Sequence, residues 1–248
     1  MARTQRADLR RRADALLDAA ATLLVGAGLR ELRIEDVARR AGVGKGTVYL
    51  HWSSREHLLL AVGAREAAAI LETVVTAIRA DPAEIALHRY LRRHFLEAMR
   101  RPVLKALFIT DHADFNPFAR QPVQAGSPKP KLIAAHDHLA ALHDHRLLRP
   151  GQEPADIDFA AQAIAYGFFS AAPLVADDPR FSLEHQADRL AEVVRRSFEP
   201  AKPPAPERYA AAAPQVIDAF ERLGDEYRRI AYGTADRRSA SRSERPAP

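Results

Sequence analysis

Residues Ala41 to Leu59 read AGVGKGTVYLHWSSREHLL, and the fold turns on how this run is parsed. Just upstream, Ile34, Val37, Ala38 and Ala41 recur at three- and four-residue steps, the mark of a short helix with one apolar face. Gly42 closes that helix where a residue without Cβ turns readily into the left-handed region. Val43 follows as an apolar plug for the turn. Gly44 is a permissible N-cap for a second short helix over Lys45 to Trp52, and Ser53 with Glu56 has the spacing of a capping box for a longer one. Two short helices joined by a tight glycine turn, the second opening in small polar and basic residues, form the pattern of a helix-turn-helix. In that pattern the second helix enters the major groove and its N-terminal residues meet base edges.

Working outward, Leu9, Ala13, Leu16, Leu17, Ala20, Leu23 and Leu24 share one stripe of a helix expected over residues 8–26, with Gly26 and Gly28 to stop it. Downstream, a fourth helix is expected to run from Ser53 to Asp81-Pro82, where a proline suits the first turn of the next. Further helices are expected near 83–100, 102–112, 131–147, 155–175, 182–198 and 207–231. Pro117, Pro122, Pro128 and Pro130 with Gly126 make 114–131 a loop, Pro200 to Pro206 a linker, and the polar Arg/Ser stretch from Ala235 to Pro248 a disordered tail. The expected class is all-α. The expected domains are a helix-turn-helix unit at 1–58, a larger helical ligand-binding and dimerisation unit at 59–199, and a linker, extra helix and tail at 200–248.

Composition agrees with helix-on-helix packing: 47% of residues are hydrophobic but only 7% aromatic, so the core is built from Ala, Leu, Val and Ile. The net charge of +5 is unevenly spread, with Arg3, Arg6, Arg10, Arg11 and Arg12 facing only Asp8 at the start. Such an arm suits a phosphate backbone, although an Arg-, Ala- and Pro-rich chain also follows from a GC-rich genome. The absence of Cys excludes disulfides, thiolate metal sites and thiol catalysis. With neither a membrane-length apolar run nor a signal-peptide pattern, the reading is a cytoplasmic protein with no membrane partner.

The run 41–59 resembles the signature of the TetR family of bacterial transcription regulators: AGV, a small cap, KGT, an aliphatic residue, Tyr, then His-aromatic and a closing Ser-Lys/Arg-Glu-x-Leu. The resemblance implies an all-helical homodimer that binds a double-stranded DNA operator and responds to a small effector molecule. It implies that Lys45 and Gly46 open the recognition helix toward phosphate, that Thr47 and Tyr49 offer hydroxyls to phosphate or bases, that His51 contacts DNA, and that Arg55 stands at a phosphate-binding position. Val48 and Trp52 are expected to point inward. This sequence departs from the family where Arg33 replaces a capping Thr, where Gly44 lacks a capping hydroxyl, and where Leu50 leaves a thymine methyl as its most plausible direct contact.

Rival chemistries find little purchase. GVGKGT at Gly42 to Thr47 lacks the upstream Gly and the Ser or Thr after Lys45 that a phosphate loop needs. The pairs His136-Asp137-His138 and His143-Asp144-His145 lie too far apart on a helix to chelate across the two segments, so no metal and no cofactor is expected. HExxH and GxSxG are absent, and no catalytic residue is assigned. An enzyme retaining a helix-turn-helix, or an architectural DNA-binding protein without an inducer, remains the alternative.

The helix at 155–175 is apolar around most of its circumference and therefore needs cover on two sides, while Leu183, Ala187, Leu190, Val194 and Phe198 give the next helix a single stripe. The pair resembles the family's last two core helices, which implies an intersubunit bundle with Ile164, Phe168, Leu190 and Val194 at its interface. By the same resemblance Phe95, Met99, Phe108, His112, Phe115 and Tyr166 surround an apolar effector cavity, although such residues at helical spacing also suit plain core.

Overall fold

In the computed structural model residues 2–109 and 130–243 are described, with side chains over 7–107 and 136–232. Every regular element among them is helical, and no strand occurs. The α-helices are α1 (Ala2–Ala27), α2 (Ile34–Arg40), α3 (Lys45–His51), α4 (Arg55–Ala80), α5 (Leu87–Met99), α6 (Pro102–Ile109), α7 (Pro130–Asp144), α8 (Pro154–Ala171), α9 (Leu183–Phe198) and α10 (Pro206–Ser243). Contacts group the described residues into two compact units: 2–66, 102–109 and 227–243 form the first, 67–101 and 130–226 the second. Helices α4 and α10 contribute residues to both.

The first unit is organised by α1, whose Ala13, Leu16, Leu17, Ala20 and Leu24 are buried along one stripe. Gly28, at φ +84°, ends this helix by donating its N–H to the Leu24 carbonyl at 3.0 Å, so Gly26 stays helical and only Gly28 acts as the stop. Helix α1 packs on α2 and α6, and α2 packs on α3. The first turn of α4 is capped one residue later than the Ser53–Glu56 spacing suggests. Ser54 Oγ accepts the His57 N–H at 3.1 Å, and His57 Nδ1 in turn accepts the Ser53 N–H at 3.3 Å.

In the second unit α9 packs chiefly on α5, burying Ala187, Leu190, Ala191, Val194 and Phe198. Ion pairs Arg92–Asp188 and Arg100–Glu184, both at 2.7 Å, edge the same seam. Helix α8 lies against α5, α7 and α9 and buries Ile157, Ala161 and Ala165. The buried His138 of α7 bonds the Ile85 carbonyl through Nε2 at 2.7 Å and meets the rings of Tyr90 and Phe220. The carbonyl can only accept, so Nε2 carries the proton. His136 and His143 are exposed, so the two His-Asp-His segments do not face a common point.

The longest helix overturns one expectation. Helix α10 continues through Ser243, past the expected end at 231 and into the stretch read as a disordered tail. Ala, Arg and Asp-Arg-Arg-Ser are compatible with a helix, Ala and Arg being among its best formers; polarity alone was the wrong guide.

Candidate nucleic-acid interface

The turn between α2 and α3 is built by backbone bonding that the sequence demands. Gly42, at φ +68°, donates to the Arg39 carbonyl at 3.2 Å, and Val43 N–H reaches back to the Ala38 carbonyl at 3.0 Å. This pair of bonds is a Schellman closure, and a side chain at Gly42 would be strained in that conformation. Arg33 at the N-cap of α2 supplies no side-chain bond, as expected of a residue replacing Thr. Glu35 and Asp36 in the first turn, and Arg39 and Arg40 in the last, instead complement the helix dipole.

Helix α3 starts from Gly44, which likewise makes no side-chain cap, and ends where Trp52 N–H bonds the Val48 carbonyl at 2.9 Å. Val48 and Trp52 are fully buried and anchor the helix, as expected. The opposite face carries Lys45 and Gly46, both exposed, Thr47, half-buried, Tyr49 at 43% and Leu50 at 51% exposure. Its outermost cation is engaged: Lys45 pairs with Glu35 of α2 and lies 5.8 Å from the centre of the Tyr49 ring. The hydrogen bond from Lys45 holds the Glu35 carboxyl below its ordinary range, and the same bond holds the ammonium above its own. Sequence reading missed Glu35 as this partner, because ten residues and a turn separate the two; its only trace was an acid at the second position of α2.

Two of the residues carried over from the family pattern are placed elsewhere. His51 is only 4% exposed and its ring lies 5.3 Å from that of Trp52, so it belongs to the packed side of α3 and not to the outward face. Arg55 also turns inward: its Nε donates to the Leu32 carbonyl at 2.8 Å, and a terminal nitrogen bonds the Leu29 carbonyl. Its guanidinium thus ties the loop between α1 and α2 to the start of α4, which explains a cation at this position without a phosphate. In the basic arm, Arg11 pairs with Asp8 and Arg12 is exposed, while the side chains of Arg3 and Arg6 lie outside the described residues.

Residues 16–62, which span this whole arrangement, match the model described as bacterial regulatory proteins, tetR family. That segment is a domain of the tetR family. Among solved structures the chain is similar to NalD of Pseudomonas aeruginosa, described as the secondary repressor of the MexAB-OprM multidrug efflux pump. The TM-score is 0.55 at 22% identity, over 79% of this chain and 99% of that one. It is also similar to the fatty acid degradation regulator FadR of Bacillus halodurans, with TM-score 0.55 at 13% identity over 74% and 94% of the two chains. A third similar structure is RolR in complex with resorcinol, with TM-score 0.51 at 18% identity over 84% and 94%. These likenesses extend the shared fold beyond the matched DNA-binding segment. No curated protein matches the chain.

Within this all-helical fold the residues expected around an effector separate. Phe95 is fully buried and packs on Phe169 at 5.0 Å between ring centres, and Met99, one turn further along α5, is half-buried. Tyr166 does not join them. It is 70% exposed on α8, because the buried side of that helix is defined by Ile157, Ala161 and Ala165. Phe108 belongs to α6 with its side chain outside the described residues, and His112 and Phe115 lie outside them altogether.

The residues expected at a dimer interface divide in the same way. Leu190 and Val194 are fully buried by packing within the chain, so they are core; Ile164 and Phe168 are half-buried. The outward face of α8 instead presents Phe159 and Tyr166, with Leu174 beyond the helix end at 83% exposure. A two-sided apolar helix was legible in the sequence, but which residues faced out was not.

Proposed function

We propose that this chain is a ligand-responsive transcriptional repressor, a homodimer held on a palindromic DNA operator and released by a small apolar molecule. The observation that carries the reading is the outward face of α3. Lys45, Gly46, Thr47, Tyr49 and Leu50 stand together on a helix anchored from behind by Val48 and Trp52. A cation and two hydroxyls suit phosphate and base edges, and an exposed Leu suits a thymine methyl. Two such helices related by a two-fold axis read half-sites about 34–36 Å apart, or a multiple of that. The exposed face of α8 supplies the apolar surface for a second copy, and the action is cytoplasmic, where the operator lies. Phe95 and Met99 on α5 are the described residues retained as effector contacts. The descriptions of NalD as a repressor and of RolR with bound resorcinol support the repressor and small-molecule parts of the reading. No described helix is long and apolar enough to cross a membrane.

Selection of bound duplexes from fragmented genomic DNA and from a randomised library, at several salt concentrations, tests the first part. One enriched imperfect palindrome is expected. Binding without sequence preference would make the chain an architectural protein, and no binding would overturn the reading. For the effector, apolar compounds that bind the protein should lower operator affinity by about 5- to 150-fold. Bound compounds that leave operator affinity unchanged would refute induction.

A further inference from the structure

The end of α10 belongs to the same compact unit as the helix-turn-helix, and it makes specific bonds there. Trp52, the residue on which α3 ends, is 1% exposed, and an indole N–H buried to that degree needs an acceptor. It finds one in the main-chain carbonyl of Ala231, 3.2 Å away, itself on a fully buried residue. A helical carbonyl can accept this second bond because it has two lone pairs.

One residue further on, Tyr232 is clasped from two sides by α1. Its hydroxyl donates to Asp14 Oδ1 at 2.6 Å, and the Arg10 guanidinium sits 4.5 Å from the centre of its ring. Arg10 and Asp14 are one helical turn apart, so the same face of α1 offers a cation to the ring and a carboxylate to the hydroxyl. Burial and the Asp14 carboxylate push the Tyr232 phenol up to about 12, which keeps it a donor. Asp18 on α1 is in turn paired with Arg65 of α4 at 2.7 Å.

We propose that the C-terminal part of α10 is a working piece of the DNA-reading head, in which the Ala231 carbonyl and the Tyr232 side chain are positioning groups. The carbonyl fixes the end of α3 through Trp52, and Tyr232 fixes α1, on which α2 packs. Neither group touches DNA. The two helices of the reading head are thereby held from behind by a third element more than 170 residues away in sequence. The inference rests on the proposed DNA-binding function for its consequence, but its structural half can be tested without DNA.

The test uses the full-length chain with Trp52→Phe, which keeps the apolar plug and deletes the N–H, together with Tyr232→Phe and Tyr232→Ala. Operator affinity, its salt dependence and hydrogen exchange of the α3 amides are measured well below the melting transition. Trp52→Phe and Tyr232→Ala should each weaken operator binding by about fivefold, the worth of one net hydrogen bond, and should speed exchange in α3. Tyr232→Phe, which retains the ring over Arg10, should restore part of both. The salt slope should not change, because no phosphate contact is lost. A role confined to overall stability would lower the melting temperature and leave affinity and α3 exchange at their original values; that result overturns the proposal. Should Tyr232→Ala fail to fold, Trp52→Phe and Tyr232→Phe decide. If the unaltered protein selects no operator, the functional reading falls, and α3 exchange alone decides the positioning role.

Discussion

Among the described residues, apolar side chains stand exposed on α3 and on α8, and these two patches differ in what surrounds them. Tyr49 and Leu50 share a seven-residue helix with Lys45, which pairs with Glu35 of α2, itself a helix rich in charge. Phe159 and Tyr166 stand on a face where the exposed positions from 159 to 174 carry no charged side chain. A polyanion gains nothing from the second surface, whereas another apolar protein surface gains little from the first. The charge around an exposed apolar group, more than the group itself, indicates the kind of partner it fits.

The largest expected effect separates the α8 patch from the core beneath it. Leu190→Ala should cost about 2–5 kcal/mol of folding stability in urea, because Leu190 is interior to the chain. Phe159→Ala and Tyr166→Ala should leave protomer stability nearly unchanged. Each should weaken self-association by about 1.5–3 kcal/mol, seen as a concentration-dependent loss of dimer by light scattering. A dimer that survives both substitutions would place the interface elsewhere and break the comparison.

Next come the two cations of the motif. Arg55→Ala should lower folding stability by about 1–3 kcal/mol through the freed carbonyls of Leu29 and Leu32, with no change in the salt slope of DNA binding. Lys45→Ala should do the reverse, weakening binding to every sequence and reducing the slope by roughly one unit. Equal slopes for both variants would show that Lys45 is not a phosphate contact. Leu50→Ala should relax preference at one T·A position by about 1 kcal/mol, measured on the randomised library.

Glu35→Gln gives the smallest effect and sharpens the picture most finely. It releases Lys45 for phosphate, so operator affinity should rise slightly and the salt slope should grow steeper. Because Lys45 holds the Glu35 carboxyl below its ordinary range, the pair is intact above that range and is lost as pH falls through the lowered value. The gain from Glu35→Gln should therefore shrink in acid, a trend readable from affinities measured at descending pH.

The helix-turn-helix was legible because its determinants are local. Gly42 must occupy the left-handed region, Val43 must cover the turn, and Val48 and Trp52 fall on one side of a short helix. His51 and Arg55 were misplaced because their partners are not local. Arg55 reaches carbonyls 23 and 26 residues back, and no spacing rule within the motif distinguishes that reach from a phosphate contact. On α9 the pattern correctly marked Leu190 and Val194 as one apolar stripe, but a stripe does not say whether its cover comes from the same chain or another. Here α5 supplies it. The continuation of α10 was hidden by reading polarity as disorder, when alanine- and arginine-rich sequence has good helix propensity of its own.

The enclosed imidazole of His138 makes the larger unit sensitive to acid and, through this ring, indifferent to alkali. Burial lowers its pKa from 6.5 to about 4, although the Ile85 carbonyl pulls the other way. Above 6.5 both the folded and the unfolded chain hold this ring neutral, and pH has no leverage through it. Between 6.5 and about 4 the unfolded chain takes up a proton that the folded one refuses, so mass action drains stability with each step downward, by on the order of 3 kcal/mol at the lower limit. Acid thus weakens the larger unit through a ring that solvent barely touches, His138 being 2% exposed.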